Sequence, residues 1–289
     1  MKTMKHKAGF TMRVVLSILL VAIIIFPIYW MLLTSFRPVT ESLSSPPNFF
    51  INLKTVTIKF YETVLSGKIG SSTNTYGFPT FFMNSVIISS ITTLVTVFVS
   101  LLAAYSLVRF SNRLSNFLSH VLLVCYLIPT IGLLIPMFVM AVDLKLNNSL
   151  WGLIIFEIAG ALPLGIWLAK AYIKGLPVEL EEAATMDGCN RMQVITKIVL
   201  PISVPGLVVV GFNTFLGSWN SYALPNVLID QERYKPMMSG LYLYFNQNIG
   251  IVWGEMMAAS ILSMLPVFFI FFYFQKYIVG GITAGAVKG

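Results

Sequence analysis

Residues 177–201 read PVELEEAATMDGCNRMQVITKIVLP, a long polar interval between hydrophobic segments that carries a helix–break–helix pattern. Pro177 stands where a first helical turn accepts proline. Glu179, Glu181 and Glu182 crowd the positive end of that helix, and Gly188 falls where a left-handed stop is expected. Asn190 opens a second helix: its side chain caps the start, Gln193 three positions on reaches back as in a capping box, and Pro201 closes the helix before the next hydrophobic run. Leu180, Ala183 and Ala184 fall on one face at helical spacing, and the two alanines let a partner surface come close. The stretch reads as a docking element. The plainer alternative is that the glutamates only complement the helix dipole.

The rest of the chain is too apolar to clothe a soluble globule: of 289 residues, 57% are hydrophobic and 10% charged, with a mean hydropathy of +0.83. The composition is that of an all-α integral membrane protein. A formal charge of +8 would suit nucleic acid, but the basic residues lie at the ends of hydrophobic runs, the pattern of membrane orientation, so no nucleic-acid partner is expected. Cys125 lies in an apolar run and Cys189 in the polar interval, which argues against a disulfide, and no metal-ligand cluster is present.

Taken in order, the chain holds six apolar spans at about 14–33, 81–108, 118–142, 150–172, 202–228 and 256–279 in one transmembrane domain, 1–289. The basic leader Lys2, Lys5, Lys7 and Arg13 precedes a run too long, and too free of small-residue cleavage signals, for a signal peptide. Pro27 should kink that first span. Residues 35–80 form a long extracytoplasmic loop with an amphipathic piece near 57–65. Asn84-Ser85 opens the second span and Ala103-Ala104-Tyr105 closes it, small residues suited to close helix packing. Pro129 and Pro136 are expected to be tolerated within one continuous third span, and Pro205, Gly206, Gly211 and Gly217 to make the fifth span easily broken. Residues 280–289 form a tail. With both termini and 177–201 inside, the cytoplasm holds Lys2, Lys5, Lys7, Arg13, Arg109, Arg113, Lys170, Lys174, Arg191, Lys197, Lys276 and Lys288. That is 12 of the 19 basic residues, a modest bias in the expected direction.

The order Glu182-Ala183-Ala184, three residues, Gly188, nine residues, then Ile198-Val199-Leu200-Pro201 resembles the EAA motif of membrane permease subunits of bacterial ABC importers. Asp187-Gly188 resembles the carbohydrate-uptake branch, Asn84-Ser85 and Ala103-Ala104-Tyr105 match the family at corresponding places, and the tail GGITAGAVKG resembles the C-terminus of the second membrane subunit of maltose importers. The resemblance implies six transmembrane helices with a cytoplasmic coupling helix-turn-helix between spans four and five, in a multi-pass protein of the bacterial cytoplasmic membrane with both termini inside. It implies a second membrane subunit, two ATPase subunits that use ATP and Mg, and an extracytoplasmic binding protein that delivers a sugar. ATPase coupling then falls to Glu182, Ala183, Ala184, Asp187, Gly188, Ile198, Leu200 and Pro201. Gly285, Val287 and Lys288 become candidate ATPase-contacting tail residues, against the alternative of an ordinary frayed terminus.

Cargo contacts are sought within the spans. Glu157 lies seven residues into the fourth, roughly 10 Å below the outer edge; a carboxyl there faces a cavity or pairs internally to hold two helices together. Asn213, Trp219, Asn220 and Tyr222 in the fifth span offer amides and aromatic faces that suit sugar hydroxyls and CH faces, the alternative for the aromatics being packing or interfacial anchoring. Trp219-Asn220 also resembles a dipeptide common at this place in carbohydrate permeases. No phosphate-binding GxxxxGK[ST] is present, and neither His6 nor His120 has a catalytic partner in sequence. A transport subunit that is not an enzyme, binds no cofactor itself and relies on partners for ATP hydrolysis is expected. The rival readings are a polyamine or peptide permease, an ion-gradient-driven secondary transporter, which would show a matching pair of interrupted spans in its two halves whereas the docking pattern has no second copy, and a non-transporting membrane sensor or assembly factor.

Overall fold

The computed structural model describes residues 2–42, 48–67, 76–246 and 253–286. Val287 and Lys288 of the candidate tail lie outside the described residues; Gly285 falls in the last helix. Among the described residues the chain is helical and without strands. The main helices are α1 (Lys2–Ser35), α2 (Phe78–Arg109), α3 (Arg113–Leu127), α4 (Thr130–Asp143), α5 (Leu150–Ile173), α6 (Glu179–Met186), α7 (Arg191–Trp219), α8 (Ala223–Leu228), α9 (Met237–Asn246) and α10 (Trp253–Ala286). Segments of α1, α2, α5, α7 and α10 are each long and apolar enough to cross a membrane, and α3 with α4 meets the same test as a pair bent by 98°. The protein is a multi-pass membrane protein.

Two compact units are distinguishable, Met1–Pro79 with Leu241–Met264, and Thr80–Gly240 with Leu265–Gly289. In the first, the extracytoplasmic candidate region is tied to the end of α1 by polar contacts. Arg37 is 3% exposed; its guanidinium donates to the carbonyls of Asn48 and Phe50. The Ser35 hydroxyl lies 2.8 Å from the Tyr61 hydroxyl. Lys59–Leu65 is a short helix with Val64 buried.

The second unit carries the rest of the account. Helix α2 is amphipathic in the sense that a lipid solvent demands: Ser85, Ser89, Thr92, Thr96 and Ser100 are buried along one face, while Met83, Leu94 and Phe98 are exposed on others. Asn84 and Ser85 serve more than close packing. The Asn84 amide donates to the carbonyls of Arg233 at 2.8 Å and Lys235 at 3.0 Å, and Ser85 Oγ accepts from the Met237 N–H at 2.7 Å. One apolar cluster joins Leu101, Ala104 and Tyr105 of α2, Ile166, Ala169 and Ile173 of α5, Ala184 of α6 and Val194, Val199, Leu207 and Val210 of α7.

Three proline expectations need correcting. The third span is not continuous. Ile128 is extended, with φ −71° and ψ 123°, because the residue before a proline is pushed out of the helical region, and Pro129 then starts α4 on a new axis. Nor does Pro201 end a helix. Residues Ile195–Val199 form a π-helical turn in which the Leu200 N–H donates to Ile195 O, and the wider turn re-registers the backbone around the missing proline donor, so Arg191–Trp219 runs on. Finally, the fifth span breaks after Trp219, at Asn220, and not at Pro205, Gly206, Gly211 or Gly217.

Gly206 has a packing role. A Cβ there would lie 2.3 Å from the Tyr172 ring, so α5 and α7 reach their separation only with glycine at this crossing. Gly206→Ala should therefore destabilise the folded subunit by about 1–3 kcal/mol through overpacking. Gly132→Ala on α4, where nothing lies within 4 Å, should stay within about 0.5 kcal/mol of the parent. Thermal denaturation of the detergent-solubilised protein separates the two.

Candidate functional site

The candidate docking element, residues 177–201, is built as its residues specify. Helix α6 ends in a Schellman motif: Gly188 has φ +86°, its N–H donates to Thr185 O and the Cys189 N–H donates to Ala184 O, both at 3.0 Å. Asn190 and Gln193 form the reciprocal capping box, with bonds of 2.9 and 2.8 Å. Leu180, Ala183 and Ala184 are not equally free to meet a partner. Ala184 is 7% exposed and points into the apolar cluster, whereas Leu180, Glu182, Ala183, Met186, Asp187 and Gly188 are exposed. Of the later candidates, Ile198 is half-buried and Leu200 and Pro201 are exposed.

What holds this element to the spans is Glu181, which sequence reasoning treats only as one of three dipole-complementing carboxylates. Glu181 is 6% exposed. Its Oε1 accepts from Arg109 Nε and lies 2.7 Å from Arg109 Nη2, while Oε2 accepts from the Tyr105 hydroxyl at 3.0 Å. Arg109 Nη2 also donates to Leu176 O at 3.2 Å, so one guanidinium bridges both sides of the turn before α6. The Arg191 guanidinium stands 5.7 Å from the centre of the Phe110 ring. The available signal was the i, i+3 pairing of Glu181 with Ala184 on one helix face, together with an arginine closing α2.

A separate cavity of about 370 Å³ lies among α2, α3, α4, α5, α7 and α8. Its polar lining is Thr92, Tyr126, Thr130, Glu157, Asn213, Thr214, Ser218, Ser221 and Tyr222, set among apolar side chains such as Ile131, Leu134, Phe156 and Leu164. Glu157 is 9% exposed. Its Oε2 accepts from the Ser218 hydroxyl, and among the described residues none donates to Oε1. Asn213 donates to Val209 O at 3.0 Å, one turn back.

The cavity thus brings together Glu157, Asn213 and Tyr222 of the candidate path and leaves out Trp219 and Asn220. Trp219 is 3% exposed; it stacks on Phe215 with ring centres 5.5 Å apart and meets Phe82 edge-on at 5.7 Å. The exposed Asn220 ends α7, its side-chain amide donating to Leu216 O at 2.9 Å. Sequence reasoning missed Thr92, Tyr126, Thr130, Thr214, Ser218 and Ser221. For Thr92 the signal was present, since it belongs to the hydroxyl row of α2 at helical spacing.

A polytopic helical protein with a partly polar cavity between its helices, and a polar helical element clamped to their ends, has the construction of a membrane transport subunit. Residues 96–283 match the family described as "Binding-protein-dependent transport system inner membrane component". The trehalose/maltose transport system permease protein MalG of Thermococcus litoralis is 34% identical over 94% of this chain and 95% of its own. The galactooligosaccharides transport system permease protein GanQ of Bacillus subtilis is 30% identical over 96% of both chains. A solved bacterial ABC transporter involved in the import of the acidic polysaccharide alginate shares the fold, with a TM-score of 0.79 over 94% of this chain and 96% of the other at 20% identity. The chain belongs to this family of inner-membrane components: it is a permease subunit of an ABC importer, and its role is transport, not catalysis.

The clamp predicts a distinctive mutational pattern. Arg109→Met leaves the Glu181 charge buried without its partner and should cost about 3–5 kcal/mol of folding stability, whereas replacing both residues together by methionine should recover most of that loss. Denaturation midpoints of the two single variants and the double variant give the coupling; additive losses would contradict it.

Proposed function

We propose that this subunit carries a sugar, an oligosaccharide or a related carbohydrate, and forms half of a translocation path completed by a second membrane subunit. The relatives MalG and GanQ, which align over nearly their full lengths, are named for trehalose/maltose and galactooligosaccharides. The cavity chemistry suits such a cargo: hydroxyl, amide and carboxyl groups stand among apolar and aromatic surfaces, so a sugar's hydroxyls and its CH faces both find partners.

In the proposed arrangement the chain crosses the cytoplasmic membrane six times, the bent pair α3–α4 making the third pass, with both termini inside. An extracytoplasmic binding protein delivers cargo. Two cytoplasmic ATPase subunits bind ATP and Mg, and the docking element with Glu182, Ala183, Asp187 and Gly188 seats in one of them, the tail residues Gly285, Val287 and Lys288 touching the ATPases as well. Closure of the ATPases pulls the docking helices together and opens the path outward; hydrolysis resets it.

The observation that carries this reading is the two-sidedness of α6. Glu181 and Ala184 are committed to the spans, while the opposite face presents Glu182, Ala183, Met186 and Asp187, which stay exposed among the described residues. Gly188→Val forces a β-branched residue into a left-handed backbone at roughly 1–2 kcal/mol and misdirects that face. Glu182→Lys reverses a charge on it. Both variants should insert and pair with the second membrane subunit, yet lose ATP-driven uptake through weak ATPase attachment or uncoupled hydrolysis. Binding-protein-stimulated ATPase activity and uptake in reconstituted vesicles decide it, and parental values for both quantities in both variants would remove the docking role.

A further inference from the structure

Glycine within a helix destabilises it relative to alanine, and is favoured there where a left-handed backbone, a tight helix crossing or the close approach of a ligand requires the side chain to be missing. Two glycines of the cavity wall, Gly160 within α5 and Gly217 in the last turn of α7, meet neither of the first two needs. Their backbone is not left-handed, since the positive-φ glycines among the described residues are Gly67 and Gly188. A Cβ built on either meets nothing within 4 Å. Other glycines of the same two helices behave differently. A Cβ on Gly165 would stand 2.6 Å from Ser100 Oγ and one on Gly206 2.3 Å from the Tyr172 ring, so packing requires those two. What Gly160 and Gly217 leave open is the cavity. Both are exposed and both line it, Gly217 one turn after Asn213, which is itself exposed to the same space. At about 370 Å³ the cavity is near the low end of the ~300–1,000 Å³ typical of small-molecule sites, so a side chain entering from either helix would change what fits.

We infer that Gly160 and Gly217 set the bore of the cargo path and so select cargo by length: the missing side chains let a sugar of more than one ring lie against the backbone of α5 and α7. This rests on the carbohydrate reading above and deepens it. A side chain at either position leaves room for a single hexose and obstructs a longer chain. Small residues in membrane helices also serve close approach of a second helix. The amide of Asn213 and the hydroxyl of Ser221, which line the cavity on either side of Gly217 in sequence, suit a hydroxyl-bearing cargo better than an apolar partner helix.

The test uses the complete importer in reconstituted vesicles, with its second membrane subunit, ATPase subunits and binding protein. The probes are a neutral hexose and the disaccharide and trisaccharide of the same hexose. Each variant's uptake is divided by the parent's for the same sugar, so that the binding protein's own preference cancels. Gly160→Ala and Gly217→Ala should assemble as the parent does, with an unchanged or raised denaturation midpoint. Gly160→Leu and Gly217→Leu should lower uptake of the trisaccharide at least about tenfold more than that of the hexose. A second arm avoids any folding defect. Gly217→Cys, with Cys125 and Cys189 replaced by serine, is assembled first and then modified by thiol reagents that add a methylthio or a benzylthio group. The benzylthio adduct should cut uptake of the longest sugar the parent carries at least about tenfold, and the methylthio adduct less than about threefold. Poor assembly of the alanine variants would assign the glycines to subunit packing and overturn the bore. So would an equal loss for all three sugars in the leucine variants, a thiol at 217 that the reagents do not reach, or two adducts that transport alike, while carbohydrate cargo stands in each case. If the parent takes up none of the three sugars, carbohydrate cargo and the length selection fall together.

Discussion

The contact on which the rest depends is the clamp of Glu181 by Arg109 and Tyr105. A charged pair taken out of water is costly unless both partners stay and their remaining hydrogen bonds are met. Here Glu181 takes donors on both oxygens, and Arg109 spends a further N–H on the carbonyl of Leu176. The pair therefore fixes geometry more than it adds stability. It joins the last turn of α2 to the first turn of α6, while Ala184, Val194 and Val199 bury the adjoining faces in the apolar cluster of α2, α5 and α7. A short helix of eight residues has little stability of its own. Bound this way, it becomes an extension of the spans, and any displacement of its exposed face is passed to α2.

The same helix α2 carries the hydroxyl row that begins with Ser85 and includes Thr92, the residue that faces the cavity. One element therefore links the proposed docking end of the unit to the proposed cargo end. In a lipid solvent a buried hydroxyl row is a natural packing surface, because it leaves apolar side chains to face the bilayer. Its cost is borne where hydroxyls lack partners among the described residues, as at Thr92, which lines the same cavity as Glu157. Close packing at Gly206 under Tyr172 keeps α7 against α5, which sets Ser218 within reach of Glu157.

Much of this is legible in the sequence. The stop at Gly188 and the capping box at Asn190 are local devices, set by residues within one turn, and both occur as their spacing specifies. The helical membrane class follows from composition, and Glu157 stands out because a carboxyl deep in an apolar run is costly unless a cavity or a partner receives it. What is not legible depends on partners distant in sequence. The clamp joins positions 72 residues apart, so the local pattern that sets Glu181 on the face of Ala184 does not name Arg109 as its partner. Trp219 and Asn220 are adjacent to cavity residues in sequence but turn elsewhere, Trp219 because Phe215 and Phe82 offer ring contacts. The prolines mislead for a related reason: their effect is set by the turn that absorbs them, a pre-proline corner at Ile128 in one case and a π-helical turn before Pro201 in the other.

The central claim is that the docking element and α2 move as one body. Spin labels at Met186 and Leu94, both strongly exposed, in a variant with Cys125 and Cys189 replaced by serine, report the distance between them in the assembled importer with and without trapped ATP. The account predicts the same distance distribution in both states of the parent clamp, and a broadened or shifted one in Arg109→Met. A parent distance that changes between the two states by more than the width of its own distribution would contradict it.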